Sequence, residues 1–469
     1  MAGRVEKRQK DTIGRLLPNR FLIFILRCVI SRVKFWNILR IKDFSIFVFS
    51  QTVSQFGDKL DYIALIALIG LFPKERTPFL LSQLALFITL PVLVFGPIAG
   101  VLVDRWHKKK VMVICDTLRM VCAFCLPLVY IYTKNIYPVF GIVFFMFLLA
   151  LFFNTARSAI IPNLVSKKRL LAANSIINLV GRGATFLGMA TGGLIIDWPI
   201  WKNVLGIAGW IVAFIIDGIT FGISAIMLYI MRVNLKERVK EVSHLKPENL
   251  VIMVKDGILK ILKEMFQAVR HIVKRKNLGF AMATIFLMIV AGSVIYVLAI
   301  PTIQQDMEWG TRGVGALAAV GAIGLLVGAY IAGTLGHYLD LKVFIVYCFV
   351  TISIGLIAFP FINQFYQFII IAMIVGIAAS PIFIGQDTLI HHYADEEVRG
   401  RIFSFRDWLL NLTFVVGALA VGSLATFISR KYLFIIFGGI VFVLSVIGWL
   451  LIARAKTDDE GIAIPQDNQ

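Results

Sequence analysis

The sequence predicts an all-α membrane protein with about twelve transmembrane helices in two six-helix bundles. Of its 469 residues, 59% are hydrophobic and only 16% are charged, whereas soluble domains average about 25% charged residues. Apolar surface on this scale cannot be buried in one water-soluble core, so much of it must face lipid. The apolar residues form continuous runs and do not alternate with polar ones, which favours helices over a transmembrane β-barrel.

The individual spans follow from length, because a helix needs about 20 mostly apolar residues to cross a bilayer. Polar or turn-forming residues end several of the apolar runs, as at 73–78, 133–135 and 197–199. In chain order, the predicted spans are 44–72, 78–103, 111–133, 137–161, 170–196, 204–231, 278–301, 312–336, 343–361, 366–390, 402–428 and 433–453.

Basic residues predict the orientation of these spans, because Lys and Arg accumulate on the cytoplasmic side of a membrane. Basic segments alternate along the chain with loops that carry fewer cations, although Lys74 and Arg76 lie on the predicted outer side. The basic segments are 1–43, 104–110, 167–169, 232–277 and 399–401. We therefore expect both termini in the cytoplasm and the protein in the cytoplasmic (inner) membrane of a bacterium.

The chain divides into five predicted parts. The long hydrophilic stretch in its middle has apolar residues at helical spacing with cations between them, which is typical of an amphipathic helix on the inner leaflet and also suits a simple linker. The parts are a basic cytoplasmic N-terminal extension with an interfacial helix (1–43), a first six-helix bundle (44–231), a cytoplasmic amphipathic linker (232–277), a second six-helix bundle (278–453) and a polar cytoplasmic tail (454–469).

The net charge of +20 raises the possibility of a nucleic-acid partner. The cations, however, lie in short clusters between apolar runs. Anionic lipid headgroups explain such clusters more simply, since each juxtamembrane cation gains about 1 kcal/mol near the inner leaflet. We therefore expect membrane lipids as partners, no nucleic acid, and a monomer.

The loop after the second span carries a dense charge motif. Gly100 is followed by Asp104 and Arg105 and then by Lys108 and Lys109. This pattern resembles the loop between the second and third helices of the major facilitator superfamily, with a histidine in place of the second glycine. A degenerate copy, with one residue inserted, ends near Lys342 at the corresponding place in the second half, as expected for parallel repeats.

The resemblance extends over residues 44–453. It implies the major facilitator fold, alternating access, and a charge latch at this loop that is made and broken as the transporter changes state. Residues 54–58 and 173–175 also resemble the efflux branch that includes macrolide and siderophore exporters. The first and fifth spans are similar to lysophospholipid transporters as well.

The fifth span contains three glycines that resemble part of a motif of drug/proton antiporters, Gly188, Gly192 and Gly193. Small residues at fourfold spacing permit two helix backbones to approach closely. Ordinary helix packing explains them equally well.

Ionisable residues within the spans are the candidate coupling groups, because such residues cost at least about 2.5–3.5 kcal/mol on insertion scales. Four lie near mid-depth: Asp58, Asp61, Arg182 and Asp217. Asp58 and Asp61 share a helix face, and opposed by Arg182 they could exchange a proton as water access changes sides. A fixed ion pair that orients the first and fifth spans is the alternative.

A second polar group is expected nearer the cytoplasmic ends, where it would form latch networks between helices. The predicted latch residues are Gly100, Asp104, Arg105, Lys108, Lys109, Asp116, Arg119, Arg157, Asp387, Arg406 and Asp407.

These features predict a proton-coupled exporter of a lipophilic or amphiphilic small molecule, of the drug-like, macrolide or siderophore kind. The alternatives are a lysophospholipid transporter or flippase and a membrane receptor or assembly protein that transports nothing. No enzyme or cofactor is expected, since the chain has no Gly-x-x-x-x-Gly-Lys-Ser/Thr phosphate loop. We expect no metal at His391 and His392, because adjacent helical residues point about 100° apart.

Overall fold

The computed structural model describes residues 37–232, 263–335 and 340–460. Most of these residues lie in twelve long helices. They are α1 (Lys42–Ile69), α2 (Thr77–Val103), α3 (Lys108–Thr133), α4 (Ile136–Leu164), α5 (Leu170–Ile196), α6 (Gly209–Ile230), α7 (Lys276–Asp306), α8 (Gly310–Leu335), α9 (Leu341–Ala358), α10 (Phe365–Tyr393), α11 (Glu396–Leu424) and α12 (Arg430–Glu460).

Eleven of these helices are long and apolar enough to cross a membrane, so the all-helical, multi-pass fold is confirmed. The remaining helix, α1, has 28 residues and carries Asp58, Lys59 and Asp61 close together in its second half. Its length suffices for a span, and its charges mark it as a helix whose polar residues must face protein or water.

Local sequence sets several of the helix ends. The Asn135 side chain accepts a hydrogen bond from the backbone N–H of Tyr137 at 3.0 Å and caps α4. Asp340 caps α9 in the same way through the N–H of Lys342, and Gln364 forms a capping box that starts α10. Lys134 ends α3 in the left-handed region, with φ of 51°.

Two departures from the predicted boundaries have local causes. The sixth span begins at Gly209 and not at 204, because a separate short helix, Pro199–Leu205, begins at a proline and ends at Gly206 with φ of 63°. Helix α12 continues to Glu460, into the segment predicted as a polar tail. The predicted interfacial helix and linker residues 233–262 lie outside the described residues, whereas 263–274 form a helix.

The two halves of the chain, α1–α6 and α7–α12, pack their helices in the same pattern. In the first half α1 packs on α5, α2 on α4, and α3 on both α4 and α6; in the second half α7 packs on α11, α8 on α10, and α9 on both α10 and α12. Between halves, α2 packs on α11 and α5 on α8. If each helix is replaced by its counterpart in the other half, the α2–α11 contact becomes the α8–α5 contact and the reverse. This is the arrangement of a parallel repeat.

The bundle has two distinct ends. We name the end at which α1, α3 and α7 begin the basic end, since Lys42, Lys108 and Lys276 lie there, and the opposite end the far end. Helix α7 reaches the far end through two π-helical turns, Ile295–Ala299 and Thr302–Asp306, on either side of a proline. Such turns often occur at functional positions.

The halves are joined at the far end by polar contacts. Gln305 of α7 donates to the carbonyls of Gly70 and Phe72, both at 3.0 Å, just after α1. Asp197, which ends α5, accepts a 2.7 Å hydrogen bond from the backbone N–H of Arg312 and so caps α8. These contacts fasten α1 and α5 to the second half.

Burial along α1 also differs between the two ends of the bundle. From Ile63 to Ile69 every side chain is buried, with at most 7% of its surface exposed. Towards the basic end, a stripe at helical spacing is only half-buried: Thr52, Gln55, Lys59 and Tyr62. The far end of α1 is therefore enclosed, whereas the middle of the helix borders accessible space.

Candidate functional site

Five ionisable side chains converge within the first half, on α1, α3 and α6. We name this group the acidic cluster; it consists of Asp58, Asp61, Asp116, Arg119 and Asp217. Four carboxylates thus surround one guanidinium. All members except Asp58 are at most 4% exposed, so the cluster lies in the core of the first half.

Arg119 is the centre of the acidic cluster. Its Nη2 forms an ion pair with Asp58 across helices, and its Nη1 lies 3.6 Å from Asp116 Oδ1 one turn earlier on α3. The guanidinium stacks on the Phe221 ring, with 4.0 Å from Cζ to the ring centroid. Ion pairing and a cation–π contact on a buried planar group fix its position.

Two hydroxyl groups of α6 support the carboxylates. Ser224 donates to Asp116 Oδ2 at 2.5 Å, and the Thr220 hydroxyl lies 3.3 Å from Asp217 Oδ1. Gly57 makes this approach possible, since a Cβ at that position would lie 3.0 Å from Thr220 Cβ and would also contact the Asp217 carboxylate. The close packing of α1 on α6 therefore depends on the absence of a side chain at Gly57.

Access to the acidic cluster is uneven. The Asp58 side chain is 31% exposed and the Arg119 side chain 5%. Asp61 Oδ1 and Asp217 Oδ2 are buried and have no hydrogen-bond partner among the described residues. A buried charge without a partner is costly, so a proton that entered at Asp58 would find unsatisfied acceptors deeper in the cluster.

The structure changes the predicted membership of this site. Asp58 and Asp61, predicted to share a helix face, lie together, and Asp217 joins them. Arg182 instead lies exposed on α5, and Arg119 is the cation that pairs with Asp58. Asp116 and Arg119, expected in a latch at the helix ends, belong to the acidic cluster instead. The reason is the rotation of α3, which turns this pair into the bundle.

Sequence reasoning missed the supporting residues Thr220 and Ser224. A signal was present, because Asp217, Thr220 and Ser224 lie at intervals of three and four residues and so form a polar stripe on an otherwise apolar helix. Helical geometry turns Lys59 about 100° away from Asp58, and Lys59 does lie on the half-buried side of α1.

The three glycines of α5 lie at helix contacts. A Cβ at Gly188 would lie 2.7 Å from the Phe56 carbonyl oxygen of α1, and one at Gly192 would lie 3.3 Å from Leu60 Cδ2. At Gly193 the neighbour is the second half, with the Arg312 Cα at 2.9 Å. Gly188 and Gly192 thus hold α5 against α1, and Gly193 holds it against α8.

The remaining predicted latch residues lie towards the basic end. Arg406 of α11 forms ion pairs with Asp387 of α10 and, at 2.8 Å, with the neighbouring Asp407, so this network lies within the second half. Arg157 Nη1 lies 3.1 Å from the side-chain amide of Gln55. A Cβ at Gly100 would meet open space.

In the charged loop itself, Asp104 is exposed and Arg105 half-buried, while Lys108 Nζ lies 3.5 Å from the Asp104 carbonyl. Lys109 has a local role, since its Nζ donates to the carbonyls of Tyr229 and Met231 at 2.8 and 2.7 Å. It therefore satisfies carbonyls at the end of α6, where a cation is favourable.

Replacing Lys109 with Met should destabilise the protein by about 1 kcal/mol, because charge-assisted hydrogen bonds at a half-exposed site are lost. Thermal unfolding followed by circular dichroism would measure it. The exposed neighbour Lys110, replaced with Met, is the matched control. Equal melting temperatures for the two variants would contradict the capping role.

Comparisons of the sequence and of the fold with known proteins agree with one another. The sequence profile of the Major Facilitator Superfamily matches residues 47–338 and 281–466. Macrolide efflux protein A of Streptococcus pyogenes is 24% identical over 426 residues, which cover 88% of this chain and 96% of that protein.

Solved transporters share the fold at low identity. The nucleoside transporter NupG, solved as a point mutant, superposes with a TM-score of 0.64 at 11% identity, covering 87% of this chain and 98% of that one. A bacterial homologue of the human lysosomal transporter Spinster, inward-facing and unoccupied, gives 0.64 at 12% identity, covering 89% and 98%.

Proposed function

Because this chain belongs to the major facilitator superfamily, and is therefore a multi-pass membrane transporter and not an enzyme, we propose that it exports a lipophilic or amphiphilic small molecule by proton antiport. The observation that carries this proposal is the acidic cluster, in which four carboxylates share one cation within the first half. An ionisable group at this depth is a functional hypothesis by default, and a group with one accessible carboxylate and several enclosed ones suits proton exchange.

The proposed cycle uses the Asp58–Arg119 ion pair as its switch. The Asp58–Arg119 ion pair present in this structure would be the state that takes up substrate. A proton arriving at Asp58 from the opposite side of the membrane would neutralise the carboxylate and weaken its hold on Arg119. Arg119 would then interact more strongly with Asp116, and the helices that carry the two residues could shift relative to each other.

The predicted orientation of the chain in the membrane relates this structure to one step of the proposed transport cycle. If the basic end is cytoplasmic, as the cation distribution predicts, the enclosed far end makes this the inward-facing state. The latch predicted around Asp104, Arg105 and Lys108 would then close only in the outward-facing state.

The substrate class is proposed on two grounds. The first is that the relative from Streptococcus pyogenes is named for macrolide efflux. The second is a row of aromatic rings between the halves, in which Tyr62 contacts Tyr296 and Tyr296 contacts Phe414. Aromatic and apolar walls with few polar groups favour amphiphilic ligands over sugars.

Reconstitution into liposomes with an imposed pH gradient tests the proposal. We expect an amphiphilic fluorescent substrate to accumulate inside the liposomes when the gradient drives protons out of them. This accumulation should be lost when a protonophore collapses the gradient. Protein-free liposomes are the control for passive partitioning. Transport that persisted unchanged without the gradient would contradict antiport and favour lysophospholipid movement between leaflets, which has no obligatory proton coupling.

A further inference from the structure

Lys59 lies on the face of α1 that borders the space between the two halves. Tyr62, one turn further on, stacks on Tyr296 of α7 with ring centroids 6.3 Å apart. One turn beyond Tyr62, the carbonyl of Ile66 lies 3.4 Å from Gln304 Nε2 of the same helix α7. Since positions 59, 62 and 66 share one helix face, Lys59 faces the second half on the accessible side of this closure.

Lys59 has no carboxylate partner among the described residues. Its adjacent acid, Asp58, is occupied by Arg119, and Asp61 is buried within the first half. The contact recorded for the ammonium is the Tyr62 ring, with 6.0 Å from Nζ to the ring centroid, which is the outer limit of a cation–π interaction. Lys59 thus forms no direct ion pair among the described residues, although it lies within electrostatic reach of Asp61.

A second cation stands nearby. Gln55, one turn before Lys59 on the same face, lies 3.1 Å from Arg157 Nη1 of α4. Arg157 forms no direct ion pair among the described residues, although Asp58 acts on it electrostatically. The accessible side of α1 therefore carries Lys59, with Arg157 close to Gln55, beside the partly exposed carboxylate of Asp58.

Three aromatic side chains, which we name the aromatic roof, border this space towards the far end: Tyr62, Tyr296 and Phe414. Tyr62 packs on Tyr296, and Tyr296 packs on Phe414 of α11 with ring centroids 5.4 Å apart. The Tyr296 hydroxyl is buried and interacts with the Tyr62 hydroxyl. A ligand below these rings could stack on them.

From this arrangement we infer that Lys59 is the counter-ion for an acidic group of the substrate, whose apolar or aromatic part packs below Tyr62 and Tyr296. The cargo class is thus an anionic amphiphile with a carboxylate or phosphate, and a cationic drug would be repelled. This inference rests on the proposed function in that it specifies the charge of the molecule carried.

Equilibrium binding to the purified full-length protein tests the inference without requiring transport. The probes are pyrenebutyrate, an aromatic carboxylate, lysophosphatidylglycerol, an anionic lipid, and rhodamine 6G, a cationic dye. We expect Lys59→Met to weaken binding of an anionic probe about tenfold or more, and Lys59→Arg to retain it, because a charge-assisted contact is lost in one and kept in the other. Lys202→Met, an exposed site on the short helix, is the matched control.

Each outcome discriminates. An effect of Lys59→Met on pyrenebutyrate alone supports a soluble acid as cargo, and an effect on lysophosphatidylglycerol alone supports a lipid headgroup. Unchanged affinity for both anions in a variant that unfolds at the wild-type temperature overturns the inference, as does tighter wild-type binding of rhodamine 6G than of either anion. Lys59-dependent binding without proton-driven transport would support this inference and refute the proposed function. Gradient-driven transport of rhodamine 6G alone would support the proposed function and refute this inference.

Discussion

Replacing Asp58 with Asn is expected to abolish proton-driven export and to leave only slow movement of substrate down its own gradient. The variant keeps the size of the side chain but removes the carboxylate proposed to bind the proton, which is also a counter-ion of Arg119. A charge-assisted hydrogen bond contributes about 1.5–3 kcal/mol, so we expect transport to fall about 10- to 100-fold. Accumulation of substrate in proteoliposomes, with and without a pH gradient, measures both effects.

Asp395→Asn provides the matched control for this prediction. Asp395 also pairs with an arginine, Arg275, at 2.7 Å, but it is half-exposed at the basic end. We expect it to retain gradient-driven transport. If Asp58→Asn transported at the wild-type rate with the same dependence on pH, the acidic cluster would have no part in coupling.

Replacing Gly193 with Val is expected to shift the protein away from the conformation seen here. A Cβ at Gly193 would lie 2.9 Å from Arg312 Cα and 3.0 Å from the Thr311 carbonyl carbon, both backbone atoms of the second half. Neither neighbour can rotate away, so α5 and α8 must separate at the far end. Overpacking of this kind costs about 1–3 kcal/mol, enough for a shift of about 5- to 150-fold in a conformational equilibrium.

Accessibility labelling of a cysteine placed at Ile69, which is buried at the far end of α1, measures this shift and leaves the Gln305 hydrogen bonds in place. We expect faster labelling from the far side in the Gly193→Val background and slower transport. Gly183→Val is the matched control, because Gly183 lies on the same helix and a Cβ there would meet open space. Equal labelling rates in the two backgrounds would show that the contact at Gly193 does not hold the far end closed.

Gly188 makes a useful contrast with Gly193. Its tight neighbours are Phe56 and Lys59 of α1, within the same half, so a larger side chain there should lower the stability of the first half and not change the relative position of the halves. Both glycines belong to one small-residue pattern in the sequence. Their different partners separate a residue that supports folding from one that supports a conformational state.

The helices were predictable because hydropathy is a local property of the chain. The boundaries of α5 match the sequence-based span, and those of α2 and α3 differ from it only at the first residues. Helix α6 differs because a proline and a glycine define a separate short helix before it. The candidate site was predictable in part. Asp58, Asp61 and Asp217 are conspicuous as charges within apolar runs, and each lies in the acidic cluster.

The partner of Asp58 was not predictable in the same way. Arg119 is 61 residues away in sequence, and both it and Arg182 are arginines within predicted spans. Which one meets Asp58 depends on how α3 and α5 are rotated about their axes. The rotation is set by packing against neighbouring helices, as where Gly57 admits Thr220 and Phe221 stacks on Arg119.

The sequence alone indicated a twelve-helix membrane protein with charges buried in its first half, because apolar length, cation bias and ionisable residues within a span are all local to one segment. The resemblance of the loop from Gly100 to Lys109 added the transporter family. Only the tertiary structure decided that Arg119 replaces Arg182 as the partner of Asp58, that Lys109 caps α6, and that the far end is closed. Each of these depends on contacts between helices distant in sequence, and such contacts follow from the relative rotation and spacing of whole helices.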